Sequence, residues 1–161
     1  MVYIKTRRFV LKTLTRKNVT EKYLSWFSCP EVKKFISFAQ KQLSIIDLMQ
    51  FVMNRISRKD ILFLGIFTKI GEHIGNIKFE PISLEEKTAT MGILIGEKDW
   101  RGKKVASEVI MASSEYLHKK YGIKYIYLGV NKDNVHAVSI YKKMNFKIFK
   151  KSPLIMRLIL K

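Results

Sequence analysis

Three apolar runs, ILFLGIFT at 61–68, IGNIKFE at 74–80 and TATMGILIG at 88–96, follow one another with only short polar breaks between them. Each is too short for a buried helix, is rich in Ile, Phe and Thr, and is bounded by turn residues such as Gly71 in Lys69–His73, so each is written as a strand. Breaks this brief join antiparallel neighbours, and the centre of the fold is therefore expected to be a meander.

The flanks extend this plan. Residues 3–12 suit a first strand, and Thr20 followed by Glu21, Tyr23, Leu24, Trp26 and Phe27 suits a short capped helix. Pro30 opens a second helix through about Phe38. Ser44 caps a third, on which Ile45, Ile46, Leu48, Met49, Phe51, Val52 and Ile56 leave one broad apolar face. Beyond the meander come a helix at 104–121 ending at Gly122, a buried strand at 124–130, a helix at 134–144, and strands at 146–150 and 154–160. Early helices, a meander, then helix–strand–helix–strand–strand predict an α/β plan with a mixed sheet. No linker, repeat or low-complexity tract divides the 161 residues, of which 47% are hydrophobic, so residues 1–161 are read as one domain.

Composition removes several function classes. No apolar run approaches the roughly 18 residues of a membrane helix, and the start carries basic residues without an apolar signal core, so a cytoplasmic protein is expected. The lone Cys29 excludes an internal disulfide, and the scattered His73, His118 and His136 suggest no metal site. His118 and His136 are placed on exposed helix faces. Thirty-one Lys and Arg against 13 Asp and Glu give a net charge of +18, which favours an anionic partner. The excess is spread through every segment, and no zinc-finger, RNP-type or helix-turn-helix signature accompanies it. An anionic small ligand is thus a simpler reading than nucleic acid.

The most informative junction is 93–107, ILIGEKDWRGKKVAS: an apolar strand, a polar loop with Gly102, then a helix. A loop of this kind aims free backbone N–H groups and the helix dipole at whatever lies before it, and phosphate suits that field. Arg101, Lys103 and Lys104 add positive charge. About thirty residues on comes the run Asn131 to Phe146, with Asn134, Ala137 and Tyr141.

Together the two segments resemble the acetyl-coenzyme A-binding core of the GNAT superfamily of N-acetyltransferases. The first is similar to the family's Arg/Gln-x-x-Gly-x-Gly/Ala loop at Arg101 and Ala106, and the second to its Asn-x-x-Ala-x-x-x-Tyr-x-x-x-Gly-Phe helix at Asn134, Ala137, Tyr141 and Phe146. Trp26, Pro30, Glu31 and Val32 resemble the branch containing the ribosomal-protein N-terminal acetyltransferases and several small-amine and amino-sugar enzymes. Two positions depart from the pattern. The loop's middle glycine is Lys104, expected either to sit in αR, with its amine aiding phosphate binding, or to weaken the cofactor site. The glycine before Phe146 is Asn145, which tolerates αL.

The resemblance implies a mixed, mostly antiparallel central sheet flanked by helices, and transfer of acetyl from acetyl-coenzyme A to a primary amine. The amine attacks the thioester directly, through a tetrahedral intermediate held against a backbone N–H of Ile93, Leu94 or Ile95. Cofactor contacts would come from Ile93–Ile95, Arg101, Gly102, Lys103, Lys104, Val105, Ala106, Ser107, Asn134, Ala137 and Tyr141. Tyr141 would protonate the departing thiolate; its alternative is ring packing beneath the sheet. Asn134 would cap its helix, reach the pantetheine arm, or both. The glutamate that some relatives carry in a Leu-Glu-Val strand is Gly129 here, leaving Glu80 and Glu97 as candidate bases, each with a surface carboxylate as its alternative. The acceptor is a protein α-amine or a nucleotide-linked amino sugar; a polyamine would need a local acidic pocket to overcome the net charge. From other classes, a catalytically silent acyl-coenzyme A-binding module or a basic nucleic-acid-associated protein stays open, as does a monomer or a homodimer.

Overall fold

The computed structural model describes residues 1–161. Eight strands, β1 (Tyr3–Lys5), β2 (Phe9–Thr13), β3 (Leu62–Thr68), β4 (His73–Ser83), β5 (Thr88–Ile95), β6 (Tyr125–Gly129), β7 (Lys147–Lys151) and β8 (Leu154–Ile159), form one sheet in the order β1-β2-β3-β4-β5-β6-β8-β7. Every neighbouring pair is antiparallel except β5 and β6, which run parallel because α4 (Val105–Tyr121) carries the chain across between them. The expected meander is β3–β4–β5.

Three boundaries differ from the sequence reading. Residues 3–12 are a hairpin, since the chain turns at Thr6–Arg8 and the Thr6 N–H donates to the Phe9 carbonyl at 2.9 Å. The third strand runs past Glu80 to Ser83, because a bulge between Phe79 and Ile82 absorbs one extra residue and lets β4 continue through Pro81. The helix opened by Pro30, α2 (Pro30–Phe35), stops three residues early, at the extended Ile36, and a 3-10 turn over Ser37–Gln40 follows.

Two apolar layers sandwich the sheet. One holds Ile74, Ile77, Met91 and Leu128 from the strands against Val105, Val109, Ile110 and Leu117 of α4, with Tyr141 of α5 (Val135–Lys143) packed on it. The other packs Phe63, Phe67 and Leu94 against α1 (Glu21–Ser25), α2 and α3 (Ile45–Ile56), through Tyr23, Val32, Leu48 and Val52. Both expected caps form. Thr20 Oγ accepts from the Tyr23 N–H at 3.2 Å, and Ser44 with Asp47 makes a reciprocal capping box that starts α3. No helix is long and apolar enough to cross a membrane.

Candidate active site

The site originates in a fault in the sheet. Parallel pairing of β5 with β6 holds only for Thr88–Thr90 against Tyr125–Tyr127; beyond it, Met91–Ile95 pair with β4 alone and Leu128–Gly129 with β8 alone. The two strands splay, and each keeps an inner edge without a strand partner. On β5 the free groups can be identified. The Gly96 N–H donates to Ile74 on the β4 side at 3.0 Å, whereas the Lys87 carbonyl accepts from Lys124 on the β6 side at 2.8 Å. Strand alternation then turns the N–H and C=O of Met91, Ile93 and Ile95 toward the split. The Ile95 carbonyl is taken there by Arg101 Nε at 3.0 Å.

A cavity of about 1000 Å³ opens at this split. Met91–Leu94 and Leu128–Asn131 form its two strand walls, and Asn134, Ala137 and Tyr141 close one end. The opposite end lies against the other sheet face, between α3 and residues 35–43, where Phe35, Phe38, Phe51 and Phe63 alternate with Lys41, Arg55 and Lys78. Asp47 is the one carboxylate of the wall, and it is committed to the cap of α3, where the hydrogen bonds from Ser44 hold it below the usual carboxylate range.

Tyr141 faces the cavity from α5, its ring 5.7 Å from that of Phe146. Its hydroxyl bonds to no protein group, and burial pushes its pKa above the ordinary tyrosine value, so it carries its proton throughout the neutral range. Asn134 caps α5 by accepting the Ala137 N–H at 3.2 Å, which leaves its amide nitrogen available to the cavity it lines.

The loop before α4 departs from expectation at one residue. Lys104 is the N-cap of α4 in the left-handed conformation, φ 59° and ψ 22°, not in αR. A glycine suits this position because the backbone itself is left-handed, and the lysine sustains about 1–2 kcal/mol of strain. Gly102 is also left-handed, φ +73°. Lys104 makes no side-chain cap, so the first N–H groups of α4, at Val105, Ala106 and Ser107, keep the field of an uncapped helix start, with Lys103 and Lys104 exposed beside them. Arg101 is turned away from that field. Where β5 ends, the carbonyls of Ile95 and Gly96 lack sheet partners, and the guanidinium bonds both at 3.0 Å while lying 3.7 Å from Cys29 Sγ.

The two carboxylates proposed as bases stand outside the cavity wall. Glu80 accepts from Lys78 Nζ at 2.8 Å and Arg55 Nε at 2.9 Å. Burial works to raise its pKa, but these two cations outweigh it and hold the carboxyl below the usual range, which makes it a weak proton acceptor. Glu97 accepts from Trp26 Nε1 at 2.6 Å and pairs with Lys22 at 3.3 Å, tying α1 to the end of β5. At Gly129 a Cβ would meet nothing within 4 Å, so the missing glutamate leaves open space in the wall. His118 is half-buried, not exposed: its Nδ1 lies 2.8 Å from the Ile123 carbonyl, at the end of α4.

The sequence reading named none of the polar residues at this end of the cavity. Lys41, Arg55, Lys78 and Asn76 carry no motif, and the only available signals were polar residues inside apolar runs: Asn76 and Lys78 in IGNIKFE, and Arg55 on the apolar face of α3.

Comparison with known proteins places the chain in a family. The acetyltransferase (GNAT) domain family matches residues 8–147. The chain belongs to the GNAT acetyltransferases. An N-alpha-acetyltransferase of Saccharolobus solfataricus is 34% identical over 82 residues, 51% of this chain and 48% of that protein, so the match spans about half the relative's length. Two solved structures share the fold. One is the acetyl transferase of Salmonella typhimurium that modifies the N-terminal serine of ribosomal protein L7/L12, with TM-score 0.87, 15% identity, and coverage of 99% of this chain and 100% of that one. The other is spermidine N-acetyltransferase of Vibrio cholerae in complex with coenzyme A and spermine, with TM-score 0.82, 17% identity, and coverage of 94% and 95%.

Proposed function

We propose that this GNAT domain transfers acetyl from acetyl-coenzyme A to the α-amine of a protein or peptide N terminus. The residues present fit the cosubstrate. The pantetheine arm is an extended chain bearing amides, and the unpaired edge of β5 at Ile93 supplies the donor and acceptor that such a chain takes when it adds to a sheet. The start of α4, with Lys103 and Lys104, suits the pyrophosphate. A backbone N–H of β5 would polarise the thioester carbonyl as the amine attacks, and Tyr141 would give its proton to the departing sulfur.

The absence of a free carboxylate in the cavity wall carries the choice of acceptor. Without a base, the amine must already be neutral. An α-amine with pKa about 7.7–8.0 is roughly a third neutral at pH 7.5, whereas an amine with pKa about 10.4, such as a lysine or a polyamine, is neutral only to roughly 0.1%. Lys41, with Arg55 and Lys78 whose two charges exceed the one on the Glu80 they share, adds repulsion against a polycation. The same three cations favour a second reading, a nucleotide-linked amino sugar, whose phosphates they would attract. The test is the pH dependence of kcat/KM on a short peptide: the rate should rise with slope one up to about pH 8 and then level. A plateau already complete by pH 6 would reveal an enzyme base and remove the argument.

A further inference from the structure

Asn76 is the buried polar side chain of the cavity wall whose hydrogen bonding is incomplete. It is 4% exposed, its Oδ1 lies 2.9 Å from His73 Nε2, and its Nδ2 has no partner. An amide nitrogen buried in this way costs stability unless a ligand satisfies it. Its orientation is imposed from behind. His73 stacks on Phe67, ring centroids 4.6 Å apart, and meets Trp26 and Tyr23 edge-on at 4.9 and 5.3 Å. Burial holds the imidazole below its ordinary pKa, and in the tautomer protonated at Nε2 it donates to Asn76 Oδ1, which turns the amide nitrogen away from His73.

Asn76 pairs with Leu94 and Lys78 with Gly92, so both β4 side chains rise on the face covered by α1–α3, beside the split edge of β5. Three donors stand on this part of the wall: Asn76 Nδ2, which has no partner, and Lys78 and Arg55, which also hold Glu80. Such a set takes an oxygen with free lone pairs. In a peptide N terminus the first such oxygen is the carbonyl bonded to the carbon that bears the amine, so an amine presented to the split brings this carbonyl to the same wall. We infer that Asn76 Nδ2 donates to the first peptide carbonyl of the acceptor, with His73 as the positioning residue that fixes the amide. The inference rests on the α-amine reading above, and it separates substrates that carry a carbonyl next to the amine-bearing carbon from simple alkylamines.

The test compares a short peptide with its trans-alkene isostere, which keeps the shape of the first peptide bond and lacks its oxygen. With Asn76→Ala, KM for the peptide should rise about tenfold, equivalent to about 1.4 kcal/mol. kcat should stay within about twofold, and the isostere should be handled equally by variant and native enzyme. Asn76→Asp, which keeps an oxygen for His73 and removes the donor, should show the same peptide-selective rise, and serves if the alanine variant no longer binds acetyl-coenzyme A. In the native enzyme alone, the isostere should carry the KM penalty at matched neutral-amine concentration. An equal rise on both substrates, or none on either, overturns the inference alone. Failure of the native enzyme to acetylate the peptide overturns the acceptor reading and this inference with it.

Discussion

Tyr141→Phe separates chemistry from packing because the hydroxyl it removes bonds to no protein group. The phenyl ring keeps its place beside Phe146, 5.7 Å away, and its contacts with the α4-side core, so stability should change by less than about 0.5 kcal/mol. Affinity for acetyl-coenzyme A should likewise hold. Turnover should not. Loss of a positioned general acid costs roughly 10²–10⁴ in rate, or about 2.7–5.4 kcal/mol of barrier. Because burial raises the Tyr141 pKa, the native enzyme keeps this proton across the neutral range, and no decline due to Tyr141 is expected there. The assay is thiol release at saturating acetyl-coenzyme A and peptide, with thermal melting and calorimetric binding measured alongside. Turnover within threefold of native, with binding intact, would refute the argument and assign protonation of the thiolate to water.

Three further substitutions probe the surrounding frame. Gly102→Val places a β-branched residue at φ +73°, where open space surrounds the Cβ and only the backbone conformation resists, so acetyl-coenzyme A affinity should fall by calorimetry as the loop shifts; unchanged affinity would dissociate this loop from the phosphates. Arg101→Ala frees the carbonyls of Ile95 and Gly96 and should lower stability by about 1–3 kcal/mol in denaturant titration, while the salt dependence of acetyl-coenzyme A binding stays as in the native protein; a flattened salt dependence would return Arg101 to the phosphates. Glu108 is the third case: burial works to raise its pKa, but hydrogen bonds from Thr6 and Arg8, each at 2.7 Å, outweigh it and hold the carboxyl below its ordinary value. Its contribution is therefore present above an unfolded pKa of about 4.3 and is lost as pH falls through the lower native value. Glu108→Gln should lower Tm at pH 7 by a few degrees, and the gap between the two proteins should close as pH falls through the lowered native value; a gap that stays constant on acidification would contradict this.

The elements of local origin were legible in the sequence. Thr20, Ser44 and Gly122 mark helix ends because their interactions lie within five residues of them, and the β3–β4–β5 meander is written in its apolar runs. Asn145 takes the left-handed conformation expected of it, φ 66°. Lys104 was misread because its side chain says nothing of its φ: the path of the chain from β5 into α4 imposes that conformation on whatever residue stands there. Arg101 was read as a phosphate contact because a cation before a helix suits phosphate, and the stranded carbonyls that hold it exist only once β5 ends in space. The polar residues of the cavity wall, Asn76 among them, were illegible for the same reason. Asn76 becomes a directed donor only through His73, Tyr23, Trp26 and Phe67, which the fold brings together from β4, α1, the 3-10 turn that follows α1, and β3.

The central claim is that this chain acetylates α-amines. It is tested most directly by coenzyme A release from acetyl-coenzyme A with three amines side by side, at one pH near 7.5 and one ionic strength: a short peptide with a free N terminus, a nucleotide-linked amino sugar and spermidine. The account predicts turnover of the peptide, with spermidine slower by about two orders of magnitude, following the neutral fraction of each amine. Efficient release with spermidine alone would contradict the account, and no release with any of the three would leave an acyl-coenzyme A-binding domain in place of an enzyme.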